Sequence, residues 1–160
     1  MKFRNIIDRF LSISSVLLLA IMVAAVTYQV IMRYIFNAPS SIVESIILVS
    51  FMWMILLGGT YTAGQNKHIS IDLLKDKVSP PKQRMLAYLS ILMMINFACL
   101  FLIYGGYNMI STAYGKQQIH SGLQIHMHYI LAVLPIAGLC MLYYGIDDLR
   151  QLNKNKGGES

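Results

Sequence analysis

Four long stretches of this chain carry no charged residue: 10–32, 45–66, 85–115 and 129–146. About 20 apolar residues at ~1.5 Å rise cross a ~30 Å hydrocarbon layer as a helix. Three stretches meet that length with room to spare, and the fourth, interrupted by Pro135, just meets it. The third is too long for a straight crossing, so it must tilt or let its Gly105-Gly106 end leave the bilayer. The composition agrees: 56% of the 160 residues are apolar and 12% charged, whereas soluble domains are about 25% charged. The expected fold is an all-α membrane protein with four transmembrane helices and short interfacial amphipathic helices. It forms a single integral membrane domain over residues 1–160, with spans at about 10–32, 45–66, 85–110 and 129–146. An inner arm covers 67–84 and an outer loop covers 111–128.

The formal charge of +6 reports topology. The charges are few and confined to short segments, so the basic balance does not point to nucleic acid. Lys2, Arg4 and Arg9 precede the first span, Lys67, Lys75, Lys77, Lys82 and Arg84 lie between the second and third, and Arg150, Lys154 and Lys156 follow the fourth. Only Arg33 and Lys116 fall on the other side. The positive-inside rule then places both termini in the cytoplasm. Ala24-Ala25 offers a small-residue cleavage site, but the apolar run continues to Met32 with no polar stretch behind it, so the first run is read as a span.

Outside the spans, Phe3, Ile6, Ile7, Phe10 and Leu11 recur at helical spacing. They form either an interfacial amphipathic helix or an extension of the first span. In the inner arm, Ile71, Leu74 and Val78 share a helical face that is expected to end at Pro80-Pro81. Lys75 and Lys77 on this arm suit anionic phospholipid headgroups. The outer loop holds three of the four histidines. His126 and His128 are two apart and so would not share a helix face. They are read as polar loop residues, not as metal ligands.

Glu44, at the edge of the second span, is the residue most open to a transport role. Ser41-Ile42-Val43-Glu44 fits the S-x-x-E capping box, with Ser41 as N-cap and Glu44 reaching back to it. A short turn brings Arg33, at the end of the preceding helix, within pairing reach of Glu44. Both charges suit the local helix dipoles. The competing reading is an autonomous small exporter with Glu44 as a proton-coupled carboxylate, which needs that residue deep in a cavity. The span interiors offer only Gln29, Asn96 and Asn108 as polar candidates, and no facing histidines for a redox anchor. Ala20 with Ala24, and Gly59 with Ala63, stand four apart and permit close helix packing. Trp53, mid-span, reads as a packing anchor. Cys99 and Cys140 lie in apolar runs without metal-ligand spacing. No catalytic, cofactor-binding or metal site is expected.

Taken in order, the motifs resemble the small membrane subunit of tripartite ATP-independent periplasmic (TRAP) transporters, the DctQ-like family. Arg33, Phe36, Asn37, Pro39 and Glu44 carry the first part, followed by Trp53 and Leu57-Gly58. Next come His68-Ile69-Ser70-Ile71-Asp72 in the arm, then Ser121, Leu123 and Ile125, with Pro135 and Gly138 in the last span. The chain departs from the family in having Ile42 and Val43 where a Trp often precedes an acidic pair, itself reduced here to Glu44-Ser45. The resemblance implies a bacterial inner-membrane subunit of an importer of organic acids such as sialic acid or a C4-dicarboxylate. Its partners would be a large membrane subunit, which holds the substrate and sodium sites and moves as an elevator, and a periplasmic binding protein. On that reading Arg33, Asn37, Ser41, Glu44, Trp53, His68, Asp72 and Pro135 serve structure and interface. The chain itself carries no cofactor.

Overall fold

A computed structural model describes residues 2–65 and 80–156. His68, Asp72, Lys75, Lys77 and the amphipathic pattern of the arm lie outside the described residues. Among the described residues, six α-helices and one π-helical segment follow in order. They are α1 (Lys2–Tyr34), α2 (Ser41–Gln65), α3 (Pro80–Phe97), a π-helix (Ala98–Gly105), α4 (Gly106–Gly115), α5 (Met127–Leu131) and α6 (Val133–Lys156). Among the described residues, four helical stretches are long and apolar enough to cross a membrane: Arg4–Tyr34, Ser41–Gln65, Lys82–Gly115 and Met127–Asn153.

The amphipathic N-terminal pattern is part of the first spanning helix. No glycine or proline interrupts α1 across its 33 residues, a length of about 50 Å that exceeds the hydrocarbon thickness. It ends where Asn37 takes a left-handed conformation (φ 51°), which asparagine tolerates better than most residues. There the chain turns back and the Ala38 N–H donates to the Met32 carbonyl at 3.0 Å. Pro80 and Pro81 open α3; proline suits a first helical turn, where its missing N–H would have no partner.

The overlong third run continues without a break to Gly115 and changes its winding midway, over Ala98–Gly105. Ala98, Leu102 and Gly106 are all buried. Leu102 and Gly106 both meet α6, at Gly138 and at Leu134 with Pro135. The outer loop is accordingly shorter than expected, from residue 116 to 126 rather than 111 to 128.

The spans form a row. α1 packs along α2, α2 against α6, and α6 against α3 and the π segment. α6 approaches its neighbour closely through glycine. A Cβ on Gly138 would come within 2.8 Å of Ile103, and one on Gly145 within 2.5 Å of Ile95. Leu11, Leu57, Val133 and Tyr144 form the fully buried core, with Trp53, Leu56, Met94, Leu134 and Cys140 packed around them. Gly59, expected at a close helix contact, has open space beside it. A row buries less than a closed bundle, and apolar side chains from Ile6 to Ile146 stay exposed along it.

Candidate functional site

At the end of the row that holds both chain termini, a polar knot joins three helices. Arg4 of α1 donates through Nη1 to Asp147 Oδ2 at 2.7 Å and to Asp148 Oδ1 at 3.2 Å. Its Nη2 donates to the carbonyl of Gly64, in the last turn of α2. The guanidinium lies 5.1 Å from the centre of the Tyr144 ring, within cation–π range. The Tyr144 hydroxyl donates to Asp8, and Tyr144 has no exposed surface. Gly64 must lack a side chain, because a Cβ there would stand 2.8 Å from the Tyr144 ring. Nearby, Tyr88 of α3 donates to Asn153 of α6 at 2.7 Å, tying the fourth member of the row to the same end.

The opposite end holds most of the residues singled out in the sequence. Arg33 closes α1 and Glu44 lies exposed in the first turn of α2. No ion pair or hydrogen bond joins them among the described residues. The capping box on Ser41 does not form. The Glu44 N–H donates to the Ser40 carbonyl at 3.2 Å, so Ser40 is the backbone cap and Glu44 sits one position too far along. The Ser41 carbonyl instead accepts the Ser45 hydroxyl at 2.8 Å. The outer loop rests on this corner: a Cβ on Gly122 would collide with Ser45 Oγ and stand 2.7 Å from the Ser41 carbonyl. A small hairpin shapes the loop, with Ile119 bridged to His126. His120 N–H donates to Ile125 at 2.8 Å and Met127 N–H to Gln118 at 2.8 Å.

The fourth span is broken at Ala132, between α5 and α6. Pro135, in the first turn of α6, has no N–H and presses on the preceding turn. The Trp53 indole crosses from α2 and donates to the Ile130 carbonyl at 3.0 Å. Just outside the break, His126 and His128 come together without sharing a helix face. His126 is extended (φ −63°, ψ 132°) and only His128 is helical, so the two rings lie 5.4 Å apart. Tyr114 and Tyr129 flank His128 at 5.5 and 4.2 Å. With Gly115 and Gln117 these rings line an open-sided cavity of about 520 Å³. Among the described residues no three His, Cys, Asp or Glu side chains gather as a metal site.

Residues 22–155 match the family described as tripartite ATP-independent periplasmic transporters, DctQ component. The chain belongs to the DctQ family. A protein of Haemophilus influenzae named as a TRAP transporter small permease protein is 30% identical over 135 residues, covering 84% of this chain and 82% of the relative. A second from the same organism, with the same name, is 25% identical over 134 residues, covering 84% and 81%. The sialic acid TRAP transporter small permease protein SiaQ of Vibrio cholerae is 28% identical over 152 residues, covering 94% of this chain and 86% of that one. This DctQ chain is therefore a multi-pass membrane subunit of a TRAP transporter.

The Arg4 knot is the feature of this DctQ chain that sequence reasoning missed. A signal existed: Arg4 and Asp8 stand one helical turn apart, and Asp147-Asp148 closes the last span. Counting cations to orient the spans passed over these acids, although opposite charges on the same side of a membrane are natural partners.

Proposed function

We propose that the chain is an accessory scaffold subunit of a sodium-coupled TRAP importer of an organic acid, lying in the bacterial inner membrane with both termini cytoplasmic. A large membrane subunit carries the substrate and sodium sites and moves. This chain packs against its fixed part, and a periplasmic binding protein delivers the substrate. The observation that carries the reading is how the charges are used. Among the described residues, Asp147 and Asp148 are tied to Arg4 and Asp8 to Tyr144, and Glu44 lies exposed in a helix's first turn. A carrier needs a polar group that faces a passage and changes partners; a scaffold needs broad apolar flanks and helices locked to one another. The name of the Vibrio cholerae relative makes sialic acid the first substrate to try. Co-expression with a large TRAP subunit and affinity purification through this chain tests the assembly. The two should elute as one complex in mild detergent, and separate elution would refute the scaffold reading.

A further inference from the structure

At the break in the fourth span, a donor from another helix meets the backbone. The last four carbonyls of a helix lack intrahelical partners, and in α5 one of these, that of Ile130, belongs to a buried residue. Pro135 cannot supply an N–H to the Leu131 carbonyl. At the break itself the bonds are long: Ala132 N–H to Tyr129 at 3.4 Å and Ile136 N–H to Ala132 at 3.5 Å. Unsatisfied backbone groups are strongly disfavoured in hydrocarbon. The Trp53 indole N–H meets the Ile130 carbonyl at 3.0 Å, and Ile130 and Val133 on either side of the break are buried. Trp53 is the thirteenth residue of α2, about 18 Å along that helix from its start. The indole therefore comes from the middle of α2, away from the helix ends where tryptophan usually collects.

A second contact runs in the same direction. Gly122 rests on Ser41 and Ser45, and eight residues later in both strands of chain Ile130 meets Trp53. The segment from Gly122 to Ile130 is thus fixed against α2 at two points, by close approach at Gly122 and by the indole at Ile130. Between these two fixings lie His126, His128 and Tyr129, which line the outer cavity with Tyr114.

We propose that Trp53 is a positioning residue: its indole N–H holds the fourth span open at the break and thereby sets the depth and orientation of the outer loop and its His–Tyr cavity. The role is one of hydrogen bonding, with bulk secondary. It concerns this chain alone and does not depend on how the chain assembles with a partner.

The test is W53F, which keeps an aromatic ring and removes the donor, alone and combined with P135A. Hydrogen exchange of the full chain in lipid nanodiscs reads the effect. In W53F, exchange across residues 116–134 should rise about tenfold, the order expected for an acceptor left without its donor, while the Arg4 end stays protected. P135A restores an N–H for the Leu131 carbonyl and removes the ring that distorts this turn, so the Leu134 N–H can reach the Ile130 carbonyl. The double variant should then show less than half the W53F effect, and should recover folded protein if W53F alone fails to fold. Y144F, which removes a hydrogen bond at the other end, controls for general loosening. Unchanged exchange over 116–134 in W53F would overturn the proposal. So would a rise matched by Y144F, or a W53F effect that P135A leaves intact, since lost packing is not repaired by a backbone donor.

Discussion

Arg4 meets two carboxylates and a carbonyl with a side chain only 17% exposed, and Asp148 beside it is 8% exposed. Removing one partner of such a cluster leaves the other charges uncompensated where water is scarce, which costs on the order of 3 kcal/mol. R4M should therefore lower the stability of the chain by roughly 3 kcal/mol in a detergent unfolding titration, and adding D148N should restore part of the loss. An unchanged unfolding midpoint in R4M would mean the knot is a surface pair of little weight. Residue identity in this cluster was poorly legible in advance, because its two ends lie at opposite ends of the chain, Arg4 and Asp8 against Tyr144, Asp147 and Asp148, and only folding joins them. The Ser41–Glu44 cap illustrates the opposite difficulty. The motif is local and complete, yet the helix starts with Ser40 as its backbone cap, and a one-residue shift separates the carboxylate from the amide it would bind.

Elements were more legible than residues. The apolar runs place all four spanning helices because hydrocarbon imposes a length and forbids charge, and both demands are written directly in the sequence. Their ends were less so. α1 runs back to Lys2 because its first turns have the knot to hold them, and α4 runs on to Gly115. The π segment had no visible signal beyond the excessive length of the third run. Its purpose becomes clear only against α6, where Gly138 lies under Leu102 and Ile103. Adding a methyl group at Gly138 forces those side chains or the helix to shift, an overpacking cost of about 1–3 kcal/mol. G138A should be destabilised by that amount, and G138L should impair folding outright. G59A, facing open space, should be neutral or slightly stabilising, as Ala is the better helix former. Equal effects at the two glycines, read by thermal unfolding in detergent, would contradict the observed packing.

On the scale of the whole molecule, the row of helices is what the sequence left least determined. Four apolar helices of this kind are compatible with a closed bundle or an open slab, since lipid and protein are equally apolar surroundings for a leucine. The slab arises because α6 is the helix that touches both α2 and α3, through its glycines and through Tyr144. Such a shape exposes wide apolar flanks and fixes the Arg4 end with polar contacts, which suits a part that broadens a transporter without moving cargo. Uptake into proteoliposomes tests this most directly, with an imposed sodium gradient, a cognate binding protein and radiolabelled sialic acid or succinate. Vesicles containing this chain alone should take up no more label than empty vesicles, and vesicles containing it together with the large subunit should accumulate it. Sodium-driven accumulation by this chain alone would contradict the account.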